Sequence, residues 1–305
     1  MKIKLTIVKV GGVILDDNLL FEEFLKNFSL INENKIIVHG GGIIASNYMI
    51  RLGIIPKMIN GRRITDSKTL DIAIMTYAGL VNKKIVSKLQ KLNCNSIGLS
   101  GADGNLIKSK IRKVNKIDYG FVGDIEKIND EFLFNLLNSN LTPTICSLTH
   151  DKKGQLLNTN ADTIASKIAI AMSKYYNVTL KYCFDKPGVL MDQNSNTSIK
   201  KNITKNEFRK LVDNKIISDG MIPKLENCFH ALENGVNKIY IAVSRSRANL
   251  HSILSVLKFI ETLKNHKIVK ILSPNVSEKK KIVVKKDLVL KNIKFGYSDS
   301  SLIIN

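Results

Sequence analysis

The sequence KIIVHGGGII, residues 35–44, joins a short apolar run to a helix-like segment through three consecutive glycines. At such a helix start the first N–H groups point outward, and glycines allow an anion to approach them closely. The sequence VKVGGVIL, residues 8–15, repeats this arrangement after an earlier strand. Neither turn has the spacing of a Walker A motif or of a GxGxxG dinucleotide-binding motif. Two glycine turns that follow early strands predict an anion-binding crevice at the edge of an α/β sheet.

Strand-like and helix-like segments alternate along most of the chain. Apolar, β-branched runs predict strands at residues 4–10, 35–38, 96–99, 142–148, 178–184 and 238–243, and a hairpin within 107–127. Helical spacing predicts helices at 18–28, 43–52, 67–92, from about 130, and at 161–174 and 221–234. This order predicts a three-layer α/β/α sandwich with an open, mostly parallel central sheet.

Composition narrows the classes of function. The formal net charge is +21, but 40 of the 47 cationic residues are lysine, whereas readers of nucleic acid favour arginine. Lysine accompanies abundant isoleucine and asparagine, as AT-rich codon usage favours, so we predict a solvated basic surface and no nucleic-acid partner. Apolar runs are too short to span a membrane, and no signal-peptide pattern precedes the first strand, so we predict a cytoplasmic protein. The four scattered cysteines are typical of small core residues in a reducing compartment.

Two lysines and one polar motif have positions that suggest chemistry. Lys9 ends the first strand, directly before a glycine turn, and Lys224 opens a helix, where a cation is unfavourable unless an anion binds there. In LLNTNADTIASKIA, residues 156–169, the spacing resembles a calcium loop but lacks its glycine and its final glutamate, which excludes calcium. Asn160 as N-cap and Asp162 in the first helical turn explain part of this motif and leave Asn158 unexplained.

Eight motifs occur in an order that resembles the N-acetylglutamate kinases of the amino acid kinase family. They are KVGG, VHGGG, NGRRITD, GLVNKKI, GLSGADGNLI, NTNADTIA, DKPGVL and DGMIPKLENC, and they extend over about residues 4–243. The resemblance implies the amino acid kinase fold and transfer of the γ-phosphoryl group of MgATP to the side-chain carboxylate of N-acetyl-L-glutamate, in arginine biosynthesis. It also implies an N-terminal lobe at 1–177 that binds the acyl amino acid and a C-terminal lobe at 178–305 that binds nucleotide.

The resemblance also implies roles for individual residues. Lys9 and Lys224 would stabilise the transferring phosphoryl group as catalytic residues, and Asp162 would orient both. Phosphate or nucleotide binding is implied for Gly11, Gly12, Gly41, Gly42 and Asp185, and substrate binding for Gly41, Gly42, Arg63, Asn158 and Asn160. No metal ligand is assigned within the protein, because Mg²⁺ accompanies ATP. By contrast, we interpret His39 as a packed strand-end residue and Tyr119 as a packing residue.

Several alternatives stay open. N-succinyl-L-glutamate and N-acetyl-aminoadipate could replace N-acetyl-L-glutamate, and a cation in the pocket from Arg62, Lys108 or Arg112 would favour the succinyl group. Other amino acid kinases, an inactive regulator and a nucleic-acid-binding protein are the rival classes. The hexameric, arginine-inhibited members of the resembled group carry an extra helix before the first strand, so we expect a homodimer here. The usual family ending is not recognisable after residue 243, where lysine is abundant; a helix at 249–263 and a strand at 281–290 are predicted there.

Overall fold

The structure, a computed structural model, describes residues 2–59, 61–114, 116–184, 202–214, 216–217, 221–243 and 268–271. The strands are β1 (Lys4–Val10), β2 (Asn34–His39), β3 (Met58–Ile59), β4 (Arg62–Arg63), β5 (Ser96–Leu99), β6 (Ile107–Ile111), β7 (Gly123–Ile128), β8 (Thr142–Cys146), β9 (Leu148–His150), β10 (Leu156–Asn158), β11 (Asn177–Phe184), β12 (Asn202–Ile203), β13 (Lys238–Val243) and β14 (Ile268–Ile271). The helices are α1 (Val13–Asp16), α2 (Asn18–Ser29), α3 (Gly42–Arg51), α4 (Ser67–Ala73), α5 (Asn82–Lys91), α6 (Asp130–Asn138), α7 (Ala161–Met172), α8 (Lys205–Asp213) and α9 (Ile222–Glu233).

An eight-stranded sheet runs through the molecule in the order β12-β14-β13-β11-β1-β2-β8-β5. From β13 to β5 all neighbouring strands are parallel, whereas β14 runs antiparallel to β13. The predicted division into lobes after residue 177 falls just inside β11, which pairs directly with β1. The sheet therefore connects both predicted lobes, and the division itself stays a prediction.

Both faces of this sheet are buried, as alternate residues of β1 illustrate. Leu5 and Ile7 pack in a core with residues of α6, α7, α8 and α9. Val8 and Val10 pack on the opposite face with residues of α2 and α5. A strand that is apolar on both faces is typical of a central parallel strand covered by helices. The three-layer α/β/α sandwich predicted from the sequence is thus confirmed.

A second sheet departs from the predicted pattern. Its strand order is β10-β9-β6-β7, and β6 and β7 form the predicted hairpin. The strand expected at 142–148 is instead divided into β8, in the large sheet, and β9, in the small one. At the break, the carbonyl of Ser147 accepts a hydrogen bond from the amide of Thr159, at 3.0 Å. No turn signal in TPTICSL, residues 142–148, marks this change of sheet.

The long helix expected at 67–92 is helical over residues 67–91 but not uniform. Asp66 caps α4 by accepting a hydrogen bond from the amide of Thr69, and a π-helical stretch, Ile74–Val81, joins α4 to α5. The hydroxyl of Thr76 donates to the carbonyl of Ile72, at 2.7 Å, the acceptor that the amide of residue 76 would use in an α-helix. This competition gives a local physical reason for the wider turn.

The four cysteines are buried free thiols, as predicted. No helix in the described ranges is long and apolar enough to cross a bilayer. The predicted helix at 249–263 and strand at 281–290 lie outside the described residues.

Lys181 provides a test of the energetics of the core. It lies fully buried in β11, and burial lowers the pKa of its ammonium from 10.5 to about 8, although Glu33 opposes the shift. Between pH 8 and 10.5 the unfolded chain holds this proton and the folded chain does not, so the free energy of unfolding should rise with pH. The rise should reach at most about 3 kcal/mol.

Urea unfolding at pH 7.5 and pH 10 measures this rise. Lys181→Met should flatten it relative to the wild-type protein, whereas Lys210→Met, at an exposed position on α8, should not. An equal pH dependence in wild type and Lys181→Met would contradict the assignment.

Candidate active site

A cavity of about 210 Å³ opens where the carboxyl ends of β1 and β2 meet the start of α7. Its lining includes both glycine turns, with Gly11, Gly12, Gly41 and Gly42, together with Lys9, Arg62, Arg63, Tyr77, Asn158, Asn160 and Asp162. The two turns are joined by a hydrogen bond from the amide of Gly40 to the carbonyl of Val10, at 3.1 Å. Gly12 has a φ of 58°, in the left-handed region that favours glycine. The structure thus brings together the two turns that the sequence separates by 28 residues.

Asp162 lies between the two lysines. Its Oδ1 is 2.8 Å from the ammonium of Lys9 and its Oδ2 is 3.9 Å from that of Lys224. The carboxylate side chain is 9% exposed, whereas the Lys224 side chain is 32% exposed. The ammonium of Lys9 also lies 3.3 Å from the position that a Cβ on Gly11 would occupy. One buried carboxylate therefore holds two cations beside a glycine turn.

The position of Asp162 follows from how α7 begins. Asn160 is the N-cap, and its Oδ1 accepts hydrogen bonds from the amides of Asp162 and Thr163, at 2.8 and 3.1 Å. The phenol of Tyr182, in β11, donates to the backbone carbonyl of Asp162, at 3.2 Å. A capped first turn and a contact to the neighbouring strand fix the carboxylate, and the N-terminal end of the helix favours its negative charge.

Arg63 also lines the cavity and is 7% exposed. Its Nη2 donates to the carbonyl of Gly42, at 2.9 Å, and to the hydroxyl of Ser46, at 2.8 Å, while its Nη1 contacts the sulfur of Met49, at 3.1 Å. These contacts attach the guanidinium to α3, and each of the three partners is uncharged. The positive charge is therefore buried without neutralisation by those partners, which favours binding of an anion.

Asn158, the last residue of β10, is linked to Arg63 through Thr65. Its side-chain amide donates to the hydroxyl of Thr65, at 3.0 Å, and that hydroxyl donates to the backbone carbonyl of Arg63, at 3.1 Å. Asn158 also lines the cavity. The residue that helix capping left unexplained thus has a structural partner and a place at the cavity.

His39 is held in one tautomer by two neighbours. Its Nδ1 is 2.8 Å from the carbonyl of Gly40, so Nδ1 must donate, and its Nε2 is then the acceptor for the amide of Asn82, at 3.0 Å. Burial lowers the pKa of the imidazole to about 4, although the hydrogen bond to Gly40 opposes the shift. His39 is therefore neutral at pH 7 and orders the glycine turn, in agreement with its interpretation as a packed strand-end residue.

This arrangement predicts the pH dependence of turnover. Because His39 titrates near pH 4, kcat should show no limb attributable to it between pH 6 and 8.5. Steady-state rates in that range, at saturating substrates, measure the profile. A limb with an apparent pKa of 6 to 7 that disappears in His39→Asn would show that the imidazole takes part in proton transfer.

Other sequence-based assignments have mixed outcomes. Asp185 lies outside the described residues, so its nucleotide role stays a prediction. Tyr119 lies beside Arg112, whose guanidinium carbon is 5.7 Å from the ring centroid, consistent with packing. Tyr77 lines the cavity but was missed, because its position in a wide helical turn leaves no motif in the sequence.

Comparisons with known proteins identify the family of this chain. The model of the amino acid kinase family matches residues 4–242. The acetylglutamate kinase of Phocaeicola vulgatus is 50% identical over 244 residues, which are 80% of this chain and 95% of that protein. A solved protein from Streptococcus mutans shares 28% identity and a TM-score of 0.67, over 78% of this chain and 94% of its own.

A more distant structure shows the fold alone. It is the N-acetylglutamate synthase of Neisseria gonorrhoeae, solved with coenzyme A and N-acetyl-glutamate, with 18% identity, a TM-score of 0.72, and coverage of 88% of this chain and 59% of its own. The family model covers most of the chain, and the Phocaeicola vulgatus protein is 50% identical to it over most of its length. The chain belongs to the amino acid kinase family, in which it is similar to the acetylglutamate kinases.

Proposed function

We propose that this protein transfers the γ-phosphoryl group of ATP to the side-chain carboxylate of N-acetyl-L-glutamate, giving N-acetylglutamyl 5-phosphate and ADP in arginine biosynthesis. A carboxylate oxygen forms a bond to the γ-phosphorus, and the bond from that phosphorus to the β,γ-bridging oxygen breaks. The single observation that carries the proposal is one cavity lined by Lys9, the buried carboxylate of Asp162 and the buried Arg63, with Lys224 paired to the same carboxylate. The 50% identity to an acetylglutamate kinase supports the same reaction.

The lysine side of the cavity suits the transferring group. In phosphoryl transfer, catalysis rests mainly on positioning and on stabilising charge that spreads over the phosphoryl oxygens. Lys9 and Lys224 would supply positive charge, and the amides of the glycine turns would donate hydrogen bonds to the same oxygens. Asp162 would keep the two ammonium groups apart and aimed at the phosphoryl group.

The arginine side suits the amino acid. Arg63 is a buried cation with uncharged neighbours on α3, and a guanidinium fork matches a carboxylate in shape and charge. We propose that it binds the α-carboxylate, with Asn158 and the weaker candidate Asn160 near the acylated end. The side-chain oxygen of Asn160 accepts the capping hydrogen bonds of α7, so we propose that its side-chain NH₂ group would contact the ligand.

The proposed reaction needs no general base, in agreement with the buried and neutral state of His39. A glutamate side chain has a pKa of about 4.3 and is ionised at neutral pH. The histidine nearest the glycine turns is buried and neutral, and its two ring nitrogens are occupied by Gly40 and Asn82. Two anions must instead be brought together, which the surrounding cations favour.

Mg²⁺ would enter with ATP. It binds phosphate oxygens and water readily and needs few protein carboxylates. Across the described ranges, no group of three or more histidine, cysteine, aspartate or glutamate side chains could hold a metal ion. We therefore propose that the triphosphate supplies most of the ligands and that removal of Mg²⁺ with EDTA abolishes turnover.

The test of the proposal is ATP-dependent formation of an acyl phosphate, trapped with hydroxylamine as the hydroxamate. N-acetyl-L-glutamate, N-succinyl-L-glutamate and N-acetyl-aminoadipate are compared side by side with Mg²⁺ present. The highest kcat/KM is expected for N-acetyl-L-glutamate. No hydroxamate from any of the three, with protein that is folded by circular dichroism, would refute the function.

The succinyl alternative has one observation in its favour. Of its three candidate cations, Arg62 lines the cavity, whereas Lys108 and Arg112 ion-pair with Glu126 and Asp124 on the β6–β7 hairpin. If the succinyl compound were the better substrate, Arg62→Gln should lower kcat/KM for it and leave the acetyl compound unaffected. Equal effects on both would remove Arg62 from acyl-group selection.

Arg63→Ala should mainly raise the KM for the acyl amino acid. Loss of charged hydrogen bonds of this kind corresponds to about 10- to 100-fold in affinity. The KM for ATP should stay near the wild-type value. Arg112→Ala is the matched control, because Arg112 pairs with Asp124 outside the cavity lining. A rise in the KM for ATP instead would mean that the two substrate sites are reversed.

The remaining expectations belong to the same proposal. We propose a cytoplasmic homodimer with no nucleic-acid partner. Sedimentation velocity measures the oligomeric state, and hexamers would contradict the dimer. Binding to duplex DNA with a steep dependence on salt would contradict the interpretation of the basic surface.

A further inference from the structure

Thr65 lies between β4 and α4, two residues after Arg63, and is fully buried. It is not part of the cavity lining, but three chain segments that contribute to the lining meet around it. These segments supply Arg63 from β4, Val122 from the chain before β7, and Asn158 from β10. Their contacts with Thr65 show how the cavity wall is held together.

The backbone of Thr65 pairs with the chain before β7. Its amide donates to the carbonyl of Tyr119, at 2.9 Å, and its carbonyl accepts from the amide of Phe121, at 2.8 Å. The carbonyl of Phe121 in turn accepts from the amide of Asn158, at 2.9 Å. The three segments are therefore joined in series by backbone hydrogen bonds.

Gly120 allows this pairing to be close. It has a φ of 68°, in the left-handed region that favours glycine. A Cβ at this position would also lie 2.3 Å from the carbonyl oxygen of Thr65, too close for any side chain. The backbone of Thr65 thus packs against a position that only glycine can occupy.

The hydroxyl of Thr65 joins the two polar side chains of the cavity wall. It accepts from the side-chain amide of Asn158, at 3.0 Å, and donates to the backbone carbonyl of Arg63, at 3.1 Å. A hydroxyl has one proton, and the carbonyl of Arg63 can only accept, so the hydroxyl must accept from Asn158. Asn158 must therefore turn its NH₂ group toward Thr65, which fixes the orientation of its side-chain amide.

We propose that Thr65 is a positioning residue that holds Arg63 and Asn158 as one unit for the amino-acid substrate. The inference rests on the proposed function, because it concerns the two side chains to which that function assigns N-acetyl-L-glutamate. Thr65 acts through these neighbours and does not touch the substrate. Its loss should therefore affect binding of the amino acid and not binding of ATP.

Removal of the hydroxyl alone tests this role. Thr65→Val keeps the branched shape but leaves the NH₂ group of Asn158 and the carbonyl of Arg63 without this partner. The KM for N-acetyl-L-glutamate should rise about 10-fold, and the Kd from calorimetric titration should rise equally. The KM for ATP and kcat should stay within about 2-fold of wild type, because the lost hydrogen bonds involve neither ATP nor the lysines.

Two further variants serve as controls for this change. Thr65→Ser keeps the hydroxyl and should restore the KM for N-acetyl-L-glutamate to within about 3-fold of wild type. Thr144→Val removes the hydroxyl of another fully buried threonine, which is 2.8 Å from the hydroxyl of Ser96 and outside the cavity lining. It should leave both KM values unchanged.

A double-mutant cycle tests whether Thr65 acts through Asn158. In an Asn158→Ala background, Thr65→Val should raise the KM for N-acetyl-L-glutamate by less than about 3-fold, because the side chain that the hydroxyl orients is absent. The full loss in both backgrounds would contradict action through Asn158.

Gly120→Ala tests the backbone pairing of Thr65. The methyl group should displace the Thr65 carbonyl and raise the KM for N-acetyl-L-glutamate by at least about 10-fold. Gly53→Ala is the matched control, because Gly53 has a φ of 73° and no other atom within 4 Å of its Cβ position. It should reduce stability without changing the KM. A wild-type KM in folded Gly120→Ala would contradict the role of this pairing.

The outcomes separate the two proposals. A wild-type KM and calorimetric affinity in Thr65→Val would overturn the positioning role and leave the proposed function intact. Equal losses in Thr65→Val and Thr65→Ser, or a parallel fall in kcat, both affinities and Tm, would indicate a purely structural residue and would also overturn it. Absence of turnover in the wild-type protein would refute the proposed function, and calorimetry, which needs no turnover, would still measure the effect of Thr65 on binding.

Discussion

Asp162→Asn should lower kcat by about 10²- to 10³-fold, the scale of losing one preorganised electrostatic contact in a closed site. Asparagine has nearly the same shape but no charge, so Lys9 and Lys224 would repel each other with no anion between them. Stability should fall as well, because breaking a buried ion pair leaves an uncompensated charge. Initial rates and thermal unfolding of the same preparation measure both effects.

Asp130→Asn provides the matched control for this variant. Asp130 is also an acidic residue in the first turn of a helix, α6, and also pairs with a lysine, Lys174, but it lies away from the cavity. It should change kcat by less than about 2-fold. If Asp162→Asn turned over at the wild-type rate, the carboxylate would have no part in organising the lysines.

Lys224→Ala should lower kcat by about 10²- to 10³-fold while the fold and the KM for the amino acid change little. Its side chain is partly exposed near the start of α9, so truncation removes charge without opening the core. The measurement is kcat at saturating ATP and N-acetyl-L-glutamate, with circular dichroism as the check on folding.

Lys210→Ala is the control for Lys224, because it removes an exposed lysine from the neighbouring helix α8. It should leave kcat unchanged. Unchanged turnover in Lys224→Ala would remove this lysine from the mechanism and leave Lys9 as the cation assigned to the transferring group.

The sequence predicted the parts of the fold that local pattern controls. Strand β5 was predicted at its observed bounds, and the N-cap at Asn160 followed from its side-chain chemistry. The division of residues 142–148 between two sheets was missed, because the whole stretch is buried and the hydrogen bond from the Thr159 amide at the break comes from a residue 12 positions beyond Ser147. Periodicity cannot distinguish one buried strand from two.

The site, too, has features that the sequence predicted and features that it did not. The positions of Lys9, Asp162 and Arg63 were obtainable from ordered motifs, since glycine turns and a helix start mark them. The partners of the Arg63 guanidinium were not, because its contacts with Gly42 and Ser46 join residues 21 and 17 positions apart. Tyr77 was missed for the same reason, because the packing of its ring on Gly41 joins residues 36 positions apart.

The glycines of the two turns have more than one structural reason, whereas the sequence suggested only an approaching anion. An approaching phosphoryl group accounts for glycine where amides face the cavity, and we retain that role as a proposal for Gly12 and Gly42. At Gly41 the close neighbour in the structure is the ring of Tyr77. The absence of a side chain at Gly41 thus has a second explanation, the space that the Tyr77 ring occupies.

An isotope experiment can show whether a carboxylate oxygen of the amino acid attacks the γ-phosphorus of ATP. N-acetyl-L-glutamate labelled with ¹⁸O in its side-chain carboxylate is incubated with MgATP and enzyme, and hydroxylamine then cleaves the acyl phosphate at carbon. We expect the released inorganic phosphate to carry one ¹⁸O atom, visible by ³¹P NMR. Phosphate without the label would mean that water, not the carboxylate, receives the phosphoryl group, and would contradict the account.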